Sequence, residues 1–127
     1  MDWVNKYIGM EFKDPEFTCW DLVVKVYREV FNINLNDFSS EYEKVTSRVV
    51  PDIILREALR WQELTQGDEK TGDIIVLRVK QHPWHVGIVV SPGIMLHCEQ
   101  KTNTCIEKYM GLTWGKKIIG FYRYDNT

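Results

Sequence analysis

Cysteine is scarce in this chain, and what there is does not make a disulfide framework. Cys19, Cys98 and Cys105 are too few and odd in number. That fits synthesis in a reducing cytoplasm. Cys98 and Cys105 with two of the histidines would be metal ligands, but no Cys-x-x-Cys or His-x-x-x-His spacing supports this. No metal and no other cofactor is expected. No apolar run approaches the ~18 residues that cross a bilayer, so membrane insertion is not expected. Met1 to Tyr7 lacks the basic start and apolar centre of a secretion signal, so the expectation is a cytoplasmic product without one. The net charge is -2, and no lysine or arginine cluster exceeds the pair Lys116-Lys117. That gives no nucleic-acid footprint. Glycine-rich phosphate loops, internal repeats and low-complexity segments are also missing.

What is present suits one domain over residues 1–127, large enough to bury a core without staples. Trp3, Val4, Tyr7 and Ile8 share one side of a short helix over 2–8, with Gly9 as its stop. A loop through Asp14-Pro15 leads to Cys19. Pro51 suits the first turn of another helix, faced by Ile54, Leu55, Ala58, Leu59 and Gln62. A turn-rich break at Thr65–Gly72 follows. The pattern then changes to strands at 73–79, 85–90, 94–98, 105–109 and 118–124. His82 is read as a solvated loop residue. Helices first and an antiparallel meander after them make the fold class α+β.

The chemistry gathers at two places. The first is Phe17-Thr18-Cys19-Trp20-Asp21-Leu22-Val23. Apolar residues recur at Leu22, Val23, Val26, Tyr27, Val30 and Phe31, the stripe of a buried helix. Thr18 and Asp21 form an N-terminal cap. Cys19 thus falls on the first turn, where unpaired N–H groups and the helix dipole favour a thiolate nucleophile. A buried free cysteine that only packs is the plainer alternative.

The second place is the hairpin after His85. Val86, Ile88, Val90, Ile94, Leu96 and Cys98 are apolar and share one face, packed on the helices. Keeping them together needs an even register sum, and hence an odd loop or a bulge at residues 90–93. His85 and His97 then lie close together on the other face. One imidazole suits a base toward a thiol, and the other fixes its tautomer. Cys19, His85 and His97 fit a nucleophile, base and orienter for acyl transfer.

These residues resemble the NlpC family of papain-like cysteine peptidases, which cleave peptides of bacterial cell walls. The resemblance rests on Tyr7 twelve positions before Cys19 and on Cys19-x-x-Leu22-Val23. It continues in Gly72-Asp73, in His85-Val86-Gly87-Ile88 and in His97 twelve residues on. It implies a helical half carrying the cysteine, packed on a five- to six-stranded antiparallel sheet carrying the histidines. It implies Cys19 as nucleophile, His85 as base and His97 as the residue orienting His85. It also implies that the Tyr7 hydroxyl assists the oxyanion region. The implied substrate is a peptidoglycan stem-peptide bond.

The family usually has Asp-Cys-Ser-Gly where this chain has Thr18-Cys19-Trp20-Asp21. Thr18, Trp20 and Asp21 are therefore expected to shape the substrate groove, with Trp20 narrowing it or forming a stacking wall. Phe17–Val23 and Trp84–Val89 look most similar to small phage and prophage tail-associated members. That implies tail-tip proteins as partners and a virion location on assembly. Two alternatives stay open. One is a structural tail component without activity. The other is a thiol amidase or acyltransferase on the same scaffold.

Overall fold

The computed structural model describes residues 2–13, 16–35, 60–79 and 82–125. The helix expected from Pro51 and the Asp14-Pro15 turn lie outside the described residues. Among them, the chain forms a short 3₁₀ helix at Asp2–Lys6 and one α-helix, α1, at Cys19–Val30. Six strands follow: β1 Gln62–Leu64, β2 Ile74–Val79, β3 His82–Ser91, β4 Ile94–Glu99, β5 Asn103–Lys108 and β6 Ile118–Arg123. They form one antiparallel sheet in the order β1-β6-β2-β3-β4-β5.

Two sequence expectations need correction. Gln62 belongs to β1, paired with Arg123, and not to a helix face. A three-residue strand is too short to show a period of its own. His82 opens β3 and pairs with Val79, so it is not a loop residue.

α1 begins where the sequence places it. Thr18 is extended at the N-cap, and both its N–H and its hydroxyl donate to the Asp21 carboxylate, at 2.8 and 3.0 Å. The helix stops at Phe31, whose N–H donates to the Tyr27 carbonyl, and Asn32 follows at φ 58°. Asparagine tolerates that left-handed conformation better than most residues.

The sheet is covered on both faces. On one, Leu22, Val23, Val26 and Tyr27 of α1 pack on Ile74, Val76, Val86, Ile88, Leu96 and Cys98. On the other, Ile75, Leu77, Val89, Met95 and Phe121 pack with Tyr109 and Trp114 from the segment before β6. The alternation follows the pleat, since successive side chains point to opposite faces. The β3–β4 register pairs Gly87 with His97, Ile88 with Leu96 and Val89 with Met95, then shifts between Val89 and Ser91. The even register and the irregularity at the turn are those the hairpin pattern requires.

Gly72-Asp73 anchors the entry to β2. Gly72 sits at φ 93°, and a Cβ there would meet the Phe31 ring at 3.1 Å. Its carbonyl accepts the Tyr27 hydroxyl. Asp73 is buried and takes a two-pronged bond from Arg123, at 2.9 and 2.8 Å. The motif thus ties α1, β2 and β6 together.

Candidate active site

The two halves of the site meet at the seam between β3 and β4. Pairing of these strands ends at Gly87–His97. Val86 lies one residue beyond, and its backbone N–H is near enough to the Cys19 sulfur to favour the thiolate. α1 therefore delivers the sulfur beside the His85-Val86 peptide. The Trp20 N–H, in the first turn of α1, also reaches that sulfur.

His85 and His97 share the face opposite α1, diagonally across Gly87. His85 Nε2 lies 2.8 Å from His97 Nδ1. A Cβ on Gly87 would come within 3.2 Å of His97 Cβ. Glycine here is what allows the imidazoles to meet over the strand. Beyond them, His97 Nε2 lies 2.7 Å from Glu107 Oε1. Glu107 also accepts the Trp114 indole N–H on Oε2, at 3.3 Å. Trp114 stacks on His85 at 5.8 Å and 19° and meets His97 edge-on at 5.4 Å.

This chain assigns the protons. An ionised carboxylate only accepts, so when His97 is neutral its proton belongs on Nε2, toward Glu107. His97 Nδ1 is then an acceptor, and His85 donates to it from Nε2. The lone pair of His85 falls on Nδ1. That is the ring nitrogen left to take a proton from a thiol. The assignment is an inference from hydrogen-bond partners.

Burial sets the resting charge state. It pushes the Cys19 thiol up to about 12, against the lowering effect of the Val86 N–H. It pulls His85 down to about 3, helped by the neighbouring His97. This burial opposes the effect of the helix N-terminus on which the thiolate expectation rests. Desolvation of the buried sulfur raises its pKa, and the helix dipole lowers it. Among the described residues, no hydrogen bond joins the Cys19 sulfur to the His85 ring.

His85 and His97 are thus brought together, and Cys19 lies on the α1 side near the peptide N–H of Val86. The four other expected site residues fall elsewhere or are enclosed. The Tyr7 hydroxyl donates to Glu29 at 2.7 Å. Glu29 lies ten residues along α1 from Cys19, about 15 Å of helix rise. The expected oxyanion role of Tyr7 is corrected accordingly; Tyr7 braces the far end of α1. Trp20 is 0% exposed and lies in the core, so it forms no wall of a groove. Trp20, the second residue of α1, packs into the core between α1 and the sheet here. Thr18 is 1% exposed and bonded to Asp21, so this pair caps the helix. Sequence reasoning missed Glu107 and Trp114. The even register that aligned the histidines, carried across β4–β5, would have found Glu107. Cys105 pairs with His97 there, and Glu107 lies two residues on, on the same face.

The α+β architecture matches two solved structures. One is an NLP/P60-family protein described as similar to lipoprotein, from Staphylococcus aureus Mu50. Its TM-score is 0.69 at 19% identity, covering 100% of this chain and 40% of that one. The other is an NlpC/P60 family protein from Bacillus cereus ATCC 10987. Its TM-score is 0.61 at 16% identity, covering 85% of this chain and 32% of that one. These define the class of fold. The sequence match fixes the family: residues 6–123 match the NlpC/P60 family, and the chain belongs to it. Members of that family are generally cysteine peptidases. A curated relative, tail tip assembly protein K of Escherichia phage N15, is 28% identical over 86 residues. The match covers 64% of this chain and 34% of that relative's length. Among the described residues, no helix is long and apolar enough to cross a membrane.

Proposed function

We propose that this protein is a cysteine peptidase that hydrolyses an amide bond in peptidoglycan stem peptides as part of a phage or prophage tail tip. The observation that carries the reading is the run His85, His97 and Glu107, with Cys19 on the first turn of α1 near the Val86 N–H. With a neutral His97, Glu107 and His97 leave the His85 lone pair on Nδ1, and the sulfur lies near the peptide N–H of the next residue, Val86.

The mechanism starts from neutral partners. His85 Nδ1 removes the thiol proton as the sulfur attacks the substrate carbonyl carbon. The first-turn N–H groups of α1 would stabilise the oxyanion that forms. The imidazolium then protonates the leaving amine, and water, activated by His85, releases the acyl group. The likeness to tail tip assembly protein K supports the tail setting.

Incubating the protein with muropeptides and following new amine termini by mass spectrometry tests this. Cys19→Ala and His85→Ala should abolish turnover, and His97→Ala should weaken it less severely. No product, or equal activity from Cys19→Ala, overturns the reading.

One observation favours a second reading, a tail component without activity. Cys19 is only 5% exposed and its thiol is held protonated. Wild-type protein inert on muropeptides, with tails assembled equally well from Cys19→Ala protein, would support it.

A further inference from the structure

The hairpin β4–β5 brings together three side chains that the peptidase reading uses only in part. His97 and Cys105 stand opposite each other in register, and Glu107 lies two residues on, on the same face. Cys105 Sγ is 3.7 Å from His97 Nε2 and 3.8 Å from Glu107 Oε1. His97 Nε2 and Glu107 Oε1 are 2.7 Å apart. We propose that His97 Nε2, Cys105 Sγ and Glu107 Oε1 form a site for a divalent transition metal, zinc above all, that competes with the catalytic proton arrangement.

The chemistry of the three donors is that of zinc: one imidazole, one thiolate and one carboxylate. Tetrahedral bonds of about 2.0–2.3 Å put ligand atoms about 3.3–3.6 Å apart. Two of the three separations are already within a few tenths of an ångström of that. Only the His97–Glu107 pair must open, by roughly 0.6 Å. Glu107 can give this, because its side chain is 31% exposed on the edge strand, while His97 is fully enclosed. Cys105 is half-buried, so the face opens to solvent on the Cys105–Glu107 side. Three protein donors leave a fourth position for water.

Occupation has a defined consequence for the proton chain. The metal takes the lone pairs of Nε2, Sγ and Oε1, and the thiol proton leaves to solvent. Neutral His97 then carries its one proton on Nδ1 and becomes a donor toward His85. His85 Nε2 must accept, so the proton of His85 moves to Nδ1. Nδ1 is then unable to take the Cys19 proton. Zinc would hold the peptidase off, and a chelator would release it. This consequence rests on the proposed peptidase reading; the binding itself does not.

Cobalt(II) titration of the full chain, read by absorption, tests the site. A thiolate-to-cobalt charge-transfer band should saturate near one equivalent and vanish on adding zinc. Cys105→Ala should lose the band, Cys19→Ala should keep it, and Glu107→Gln should weaken zinc binding by about tenfold or more. No band in the wild-type protein, or an undiminished band in Cys105→Ala, overturns the proposal. Where muropeptide cleavage is measurable, stoichiometric zinc should slow it in the wild-type protein and not in Cys105→Ala. A cobalt band without cleavage leaves the metal site standing and removes the peptidase reading. Cleavage without a band does the reverse.

Discussion

Gly87 stands opposite His97 across the β3–β4 pairing, and a Cβ on Gly87 would lie 3.2 Å from His97 Cβ. The His85–His97 bond passes over this position. Gly87→Ala would also meet the Leu96 carbonyl at 3.2 Å and Met95 Sδ at 3.3 Å. The backbone oxygen cannot swing away. The expected outcome is a loss of about 1–3 kcal/mol from overpacking, measured by urea unfolding, together with a lengthened imidazole pair. Unchanged stability with unchanged ¹⁵N shifts of both histidines would refute the argument.

Glu107 assigns the tautomers of both rings from the end of the chain. Glu107→Gln keeps the shape but replaces an acceptor by a group that can also donate. The expected outcome is an intact fold with His97 sharing its proton between Nδ1 and Nε2, seen by ¹⁵N NMR. Turnover should fall about 10- to 100-fold, as for partners that orient metal-bound histidines, in kcat more than in KM. A single Nε2–H tautomer of His97 in the variant would show that something else fixes the ring.

Tyr7 tests how far a motif can be carried from sequence to role. Its hydroxyl is bonded to Glu29, which also pairs with Lys6 at 3.1 Å and Lys25 at 3.2 Å. These partners hold the Glu29 carboxyl down to about 2, with the Tyr7 hydrogen bond foremost. Tyr7→Phe should cost about 0.5–1.5 kcal/mol of stability and leave turnover within about twofold. A hundredfold loss of kcat with unchanged stability would return Tyr7 to the oxyanion site.

Trp20 separates packing from specificity. It is fully buried in the cluster that joins α1 to the sheet. Trp20→Ala should cost about 3–5 kcal/mol, visible in thermal unfolding, and Trp20→Phe should recover much of that. KM for muropeptides should not change in the Phe variant. A raised KM at wild-type stability would put Trp20 back on a groove wall.

The parts of this molecule that repeat were legible in the chain. The stripe Leu22, Val23, Val26, Tyr27 gave α1, and the apolar evens from Val86 to Cys98 gave both the hairpin register and the shared face of His85 and His97. Each rests on a period that burial enforces. The parts that failed have no period. β1 is three residues long and is fixed by pairing with β6, nearly sixty residues away. Trp114 comes from a turn whose place over His85 is set only when the sheet forms. The direction taken by Tyr7 and Trp20 was also hidden, because motif spacing gives position along the chain and not the side on which a ring lands. The charge state of Cys19 turns on energetics that the chain shows only in part: the helix N-terminus was visible in sequence, and the burial of the sulfur was not.

That enclosure makes the last prediction the sharpest. Burial pushes Cys19 from its ordinary 9.0 up to about 12. The folded protein therefore keeps the thiol proton over a range in which the unfolded chain releases it. Below pH 9 both states are protonated and the contribution to stability is complete. Between about 9 and 12 the unfolded state binds fewer protons, so stability falls as pH rises. The alkaline loss should be shallower in Cys19→Ser. Buried Tyr7 and Tyr27 are also shifted upward, but they are common to both proteins, so the difference isolates Cys19. The same shift lowers the resting thiolate fraction at pH 8 by about a thousandfold relative to a free cysteine. Iodoacetamide should then label native Cys19 slowly, and quickly once urea unfolds the chain. Rapid labelling of the native protein at pH 6 would instead establish a resting thiolate–imidazolium pair. Proton transfer would then precede substrate binding and not accompany attack.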